Sequence, residues 1–291
     1  MKLYGARDEL FALANTILVF WALAACAPPI WSEGPTFLYE VETAAGTSFL
    51  LGTTHVGVSF EELPPHVHER LAGVPSVGFE TEPSAPLIDA ELLELGLIPR
   101  YQPILSQRLD PAVFGALVTL LDGRVSEPEL KRFKPWLARF ALGLMFIDGL
   151  PRLETEIESA ALAEAKSIYT LETPREQLEV LASIPEDEVL ASLSMMVLDP
   201  QGARRFLEET FEAYRAADVD FFLKNYLEPA DSQEVELLVR ARNRRWLEPI
   251  RVRFESGPSL LAVGAAHLVG PEGLLALLSD AGLTPLPSGP P

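Results

Sequence analysis

Residues 49–57 read FLLGTTHVG and residues 261–270 read LAVGAAHLVG, and this pair of segments decides how the chain folds. Each is an apolar, strand-like run, then Gly-x-x-His, then an apolar residue and a nearby glycine. In an open α/β sheet, ligands sit beyond the carboxyl ends of the strands, where the chain turns. A glycine there lets the backbone bend or approach a ligand closely, and three residues later the imidazole of His55 or His267 faces the crevice. The segments lie near opposite ends of the chain, so only tertiary folding brings them together. They use two of only four histidines.

A third group joins them from the run Ser76-Val77-Gly78-Phe79-Glu80. It places the Glu80 carboxylate at the end of the next strand, where a parallel neighbour of the first would finish. Two imidazoles and one carboxylate suit a divalent metal, with positions left for water and substrate. The same three groups also serve without metal, as a general base oriented by a carboxylate. Both readings stay open from the residues alone. His66 and His68, two apart at a helix start, are expected at the surface on different sides.

Outward from these segments, residues 36–41 and 48–51 predict a hairpin across Ala44-Ala45-Gly46-Thr47. Pro64-Pro65 starts a helix that Gly73 ends, and residues 74–79 form a third strand. From about 105 to 254 the apolar spacing is mostly helical, as in Leu178, Leu181 and Ala182, or Leu237, Leu238 and Ala241. Residues 167–171 interrupt this as a strand. At the end, residues 259–263 are an apolar strand, 271–281 a helix closed by Gly282, and 283–286 a last strand. The expectation is an α/β fold: a central sheet formed from N- and C-terminal strands, with a large helical middle section, in one domain over residues 37–287 and a tail at 288–291.

Composition narrows the function classes. Of 291 residues, 48% are hydrophobic and 22% charged, which supports a packed core and excludes a disordered polyanion. With 42 acidic against 23 basic side chains, the net charge of −19 argues against nucleic acid as a partner. One cysteine forms no internal disulfide and no cysteine-based metal site. That cysteine has a different setting. Residues 1–25 carry Lys2 and Arg7 and then an uncharged apolar run at 11–25, too short for a comfortable span and suited to a signal peptide. The run stops at Leu23-Ala24-Ala25-Cys26, which resembles the lipobox of bacterial lipoproteins, despite Asp8 and Glu9 before it. Residues 26–36 are then a lipidated N-terminus and linker, and Ala27 resembles the pattern sent to the outer membrane of Gram-negative cells.

The two Gly-x-x-His elements and the strand-end Glu80 resemble the TraB/GumN family, related to the Tiki metalloproteases and more distantly to erythromycin esterases. Further landmarks agree in order: Lys134-Pro135-Trp136, Gly149 to Leu153, Leu171-Glu172-Thr173 with Glu176-Gln177, and Arg242-Asn243. The closing segment VGAAHLVGPEGLLALLSDAGLTPLP is similar almost throughout. The resemblance covers residues 37–287. It implies an α/β fold with both His-bearing strand ends in one cleft, a peptidase or hydrolase activity, and manganese, cobalt or zinc as the metal. One departure is Glu80-Thr81-Glu82, where many relatives carry Asp at the third place, so Glu82 could share or replace the role of Glu80.

Other chemistries lack their residues. There is no His-Glu-x-x-His, Gly-x-Ser-x-Gly, Gly-x-x-x-x-Gly-Lys or Gly-x-Gly-x-x-Gly, which removes zincin, serine hydrolase, P-loop and Rossmann readings. Arg242 and Asn243 are candidates to stabilise an oxyanion in the cleft. Arg242 also belongs to a basic stretch with Arg240, Arg244, Arg245 and Arg251, which surface acids would pair. Glu172 is either an acid that orients the site from behind or a helix N-terminal acid. The expected protein is a metal-dependent hydrolase acting on a peptide amide. His55, Glu80 and His267 hold the metal, Arg242 assists, and Cys26 anchors the chain to the membrane from the periplasmic side. The alternative is a non-catalytic periplasmic binding lipoprotein for a peptide signal, iron or haem, and a third possibility is a structural envelope lipoprotein.

Overall fold

In the computed structural model, which describes residues 36–85, 89–228 and 232–289, six strands form one mixed sheet in the order β4-β3-β5-β2-β1-β6. The signal, lipidation and linker segments expected at 1–35 lie outside the described residues, Cys26 included. Strands β1 (Leu38–Thr43) and β2 (Gly46–Thr53) pair antiparallel as the expected hairpin. Its turn tightens to Ala44-Ala45, because Gly46 adopts φ 122° and Thr43 Oγ1 accepts the Ala45 N–H at 3.1 Å. Strands β3 (Ser76–Phe79), β4 (Ser167–Thr170) and β5 (Leu260–Gly264) run parallel to β2 within the sheet. Every residue of β3 and β5 is buried, as is β2 from Ser48 onward. Unbroken apolar runs rather than alternation are what a parallel sheet covered on both faces demands.

One detail of the strand order differs from expectation. β3 is not the direct neighbour of β2; β5, the strand contributed last of the parallel set, lies between them. The registers Thr53↔Gly264 and Phe79↔Ala262 therefore bring the carboxyl ends of β2, β5 and β3 to one edge of the sheet.

The chain divides into two compact units. Among the described residues, the sheet unit comprises 36–85, 151–183, 207–228 and 232–289. Its helices are α1 (Pro65–Gly73), α6 (Leu153–Ala163), α7 (Pro174–Ser183), the later part of α9 (Pro200–Arg215), α10 (Val219–Tyr226), α11 (Ala241–Ser256) and α12 (Leu274–Asp280). Trp246, Ile250 and Phe254 bury the inner side of α11. The helical unit holds residues 89–150 and 184–206, with α2 (Asp89–Gly96), α3 (Pro111–Leu120), α4 (Glu127–Leu130), α5 (Pro135–Phe146) and α8 (Glu186–Leu198). Its core is mostly aliphatic, with Leu105, Leu117, Leu121, Leu130, Leu142 and Leu193 fully enclosed beside buried Phe114, Trp136 and Phe146. Asp110 caps α3 by accepting the Ala112 N–H at 2.8 Å, and Pro111 follows at the first helical position.

Three local expectations are corrected. The mostly helical stretch expected from about 105 begins earlier, at α2. The helix expected over 271–281 shortens to α12, because residues 265–273 are spent on a 3-10 turn, Ala265–His267, and on a loop that turns at Gly270 with φ 89°. The last strand is only β6 (Leu286–Pro287), antiparallel to β1. His66 is also not at the surface. It is 4% exposed, with Nε2 3.3 Å from Thr36 Oγ1, because the first turn of α1 packs inward. His68 is part-buried, its ring against Phe60 at 4.3 Å and its Nε2 3.1 Å from the Leu63 carbonyl.

Candidate active site

The three parallel strand ends each deliver one side chain. His55 follows β2 by two residues, Glu80 follows β3 by one, and His267 ends the 3-10 turn after β5. His267 Nε2 lies 3.6 Å from Glu80 Oε1, and His55 Nε2 lies 3.9 Å from the same oxygen. The structure thus brings together the three residues singled out in the sequence. Glu82 is not among them; its side chain is exposed on the loop that follows.

The motif glycines serve each other. A Cβ on Gly52 would stand 2.9 Å from Phe37 Cβ, 3.0 Å from Leu268 Cδ1 and 3.1 Å from Ala265 Cα, so Gly52 admits the loop that carries His267. A Cβ on Gly264 would stand 2.8 Å from His55 Nε2 and 3.4 Å from Glu80 Oε1, so Gly264 admits the imidazole of the first motif. Neither glycine has positive φ. Their common requirement is close approach, not a bend.

The two histidines have opposite surroundings. His267 is buried, and its Nδ1 is 2.7 Å from Asn243 Oδ1. Asn243 Nδ2 donates to the carbonyls of His267 at 3.0 Å and Glu272 at 2.9 Å, which fixes the amide and makes Nδ1 of His267 the protonated nitrogen. Burial pushes the His267 pKa down to about 3, so the ring is neutral with its Nε2 lone pair facing inward. His55 has a left-handed backbone, φ 61°, and its side chain is 56% exposed. Its Nδ1 is 2.6 Å from Glu154 Oε1, and that charge raises its pKa to about 9. Glu154 Oε1 also accepts the Thr53 hydroxyl.

Glu80 and Arg242 form the buried ionic centre. Arg242 Nη2 donates to Glu80 Oε2 at 2.6 Å and to Glu172 Oε1 at 2.5 Å, and Nη1 donates to the Leu238 carbonyl at 2.9 Å and to His267 Nε2 at 3.2 Å. A π-helical segment, Glu236–Arg240, leads into α11 and supplies that carbonyl. The Arg242 guanidinium also lies 4.5 Å from the Trp246 ring, which packs against His267 at 4.7 Å. Burial alone would raise the Glu80 pKa, but His267, Arg242, His55 and the Gly264 N–H, donating to Oε1 at 2.7 Å, outweigh it and hold the carboxyl below the usual range. Glu172 anchors Arg242 on the side away from Glu80 and also accepts from Arg245 at 3.0 Å. The other arginines of the stretch pair with acids: Arg244 with Glu236 and Glu272, Arg240 with Glu272, and Arg251 with Glu248 and Glu255.

Donor chemistry and orientation decide whether a divalent ion suits these residues. With each Nδ1 tied back to an oxygen, two imidazole Nε2 atoms and one carboxylate oxygen converge, which is a donor set such ions take. The space between His55 Nε2 and Glu80 Oε1 is one a Cβ on Gly264 would fill. Arg242 Nη1 holds the His267 lone pair, and among the described residues no three His, Cys, Asp or Glu side chains are placed so that they could hold a metal ion. The residues fit in donor type; before they could hold an ion, Arg242 must yield at His267 and His55 must give up its Nε2 proton.

Sequence reasoning missed Glu154 and Thr53. Glu154 is 99 positions from His55, and the nearest signal was the landmark ending at Leu153, one residue before it. The model of the TraB/PrgY/gumN family matches residues 37–287. Comparison with curated proteins and with solved structures finds no match.

Proposed function

The chain therefore belongs to the TraB/PrgY/gumN family, and we propose that it is a metal-dependent hydrolase acting on a peptide amide at His55, Glu80 and His267. The observation that supports this reading is the convergence of two Nε2 atoms on one carboxylate oxygen, at 3.6 and 3.9 Å, beside an imidazole open to solvent. His55 Nε2, Glu80 Oε1 and His267 Nε2 would hold the ion, with manganese, cobalt or zinc as candidates. When bound, such an ion polarises a carbonyl and lowers the pKa of water toward neutrality.

The chain's own residues supply the rest. Arg242 and the Gly264 N–H keep Glu80 ionised, as a ligand must be; in the alternative, Glu80 takes the proton from the attacking water and passes it to the departing amine nitrogen, and the ion keeps fewer protein ligands. The C–O bond would form as the carbonyl π bond opens, and the C–N bond would break as the carbonyl re-forms and the protonated nitrogen leaves as the amine. Arg242 also donates to Glu172 and the Leu238 carbonyl, so once Nη1 has given up His267 Nε2 to the ion its part is to hold Glu80 in place. The exposed side of His55 is where an extended peptide can reach the site. The proposal includes lipidation at Cys26 and a periplasmic, outer-membrane setting, which rest on sequence. Among the described residues no helix is long and apolar enough to cross a membrane.

The test uses full-length protein in detergent, wild type and His267→Ala, titrated with manganese, cobalt and zinc. Near-stoichiometric binding that falls more than about 100-fold in the variant supports the site, and peptide libraries then identify the cleaved bond. Equal binding by both proteins removes the metal mechanism.

A further inference from the structure

We infer that Glu154 is a positioning residue for His55, acting through Nδ1 and itself locked in place by Thr53 and the first turn of α6. This rests on the proposed role of His55 but adds a residue outside the strand-end set.

The geometry is specific. Glu154 Oε1 lies 2.6 Å from His55 Nδ1, and the carboxylate side chain is only 13% exposed. The same oxygen accepts the hydroxyl of Thr53, whose Oγ1 is also 3.3 Å from the Val263 carbonyl on β5. One carboxylate oxygen therefore ties the histidine loop to the ends of two strands. Backbone contacts reinforce it: Leu153 N–H donates to the His55 carbonyl at 3.0 Å, Gly57 N–H to the Pro151 carbonyl at 3.0 Å, and Val56 bridges Arg152. These contacts hold His55 at φ 61°, a left-handed conformation unfavourable for a non-glycine residue, which needs a surrounding structure to impose it.

The partner of Glu154 is diagnostic. Among the described residues no lysine or arginine is seen paired with it; its neighbours are Thr53 and His55. A nearly buried carboxylate without a permanent cation is costly as a packing element, so its use lies in the ring it faces. The hydrogen bond at one ring nitrogen decides which nitrogen carries the proton and where the other points. Glu154 fixes the Nδ1 proton of His55 and turns Nε2 toward Glu80. Asn243 does the same for His267, so each motif histidine has its own acceptor, a carboxylate for the open ring and a neutral amide for the buried one.

The experiment reads the ring directly. In metal-free full-length protein labelled with 15N-histidine, wild type should show two strongly hydrogen-bonded Nδ1–H resonances, from His55 and His267. Glu154→Ala should lose the His55 signal and keep that of His267, which also reports that the fold is intact. Glu154→Gln, whose amide oxygen still accepts, should keep a weakened His55 signal. If Glu154→Ala fails to fold, Thr53→Val carries the test, because freeing the carboxylate should broaden or shift the same resonance. Zinc titration should show affinity falling about 10–100-fold in Glu154→Ala and less in Glu154→Gln. A His55 Nδ1–H signal indifferent to all three substitutions overturns the inference. Absence of metal binding in wild type would defeat the metal reading instead, while the resonances still decide the positioning role.

Discussion

The two Gly-x-x-His motifs are near copies in sequence and opposites in surroundings. At the first, His55 stands at the rim with an open side chain, a left-handed backbone and a carboxylate behind it. At the second, His267 is enclosed, packed on Trp246, tied to an amide and touched by a guanidinium. The same four-residue pattern therefore yields one imidazole that holds a proton up to about pH 9 and one that stays neutral down to about pH 3. A motif fixes where a side chain begins; its charge is set by what the rest of the fold places around it.

The largest expected effect lies on the buried side. Arg242→Met strips Glu80 and Glu172 of their shared cation, and removing one partner of a buried pair costs about 3–5 kcal/mol. A shift of the urea midpoint worth less than about 1 kcal/mol would dissolve the contrast between the two sides. Next, His267→Ala should cost about 2–3 kcal/mol through a cavity and an orphaned Asn243. His55→Ala, at the rim, should stay within about 1 kcal/mol. Equal losses from both would break the comparison.

The glycines sharpen it further. Gly52→Ala meets Ala265 Cα and Phe37 Cβ, neighbours that cannot swing away, whereas Gly264→Ala meets a half-open imidazole. Overpacking costs about 1–3 kcal/mol, and Gly52→Ala should sit toward the upper end. In Gly264→Ala a crystal structure should show the His55 ring displaced with a smaller stability loss; the reverse order would mean that the rim is the rigid side.

The smallest effects are in pH, and they have opposite signs. In the metal-free protein the folded pKa of His55 is raised, so its contribution is full below about pH 6.5 and is lost as pH rises through about 9. The folded pKa of His267 is depressed, so stability falls as pH drops below about 6.5, where only the unfolded chain takes the proton. Unfolding free energies measured from pH 4 to 10 should lose their alkaline slope in His55→Ala and flatten on the acid side in His267→Ala. Solvent screening at the open ring makes the first change the weaker. Slopes unchanged by either substitution would show that other groups set the pH dependence.

Much of the fold was legible because its signals are local. Apolar runs at 48–51, 74–79 and 259–263 announced strands, and Pro64-Pro65 and Gly73 bounded α1. His55, Glu80 and His267 could be named because each follows such a run by a fixed, short interval. The burial of His66 escaped, since a helix start gives no sign of which face packs inward. Glu154, Thr53 and the anchoring of Arg242 by Glu172 escaped for the same reason, since their contacts join residues about 70 to 100 positions apart.

By itself the sequence determined the elements, the polarity of the core strands and the three residues at the strand ends, because period, glycine and proline act within a few residues of themselves. Only the tertiary structure decided that β5 lies between β2 and β3, that each motif glycine makes room for the other motif, and that one histidine is charged and the other neutral. Those outcomes depend on distances across space and on exclusion of water, and neither is set by the order of residues along the chain until it has folded.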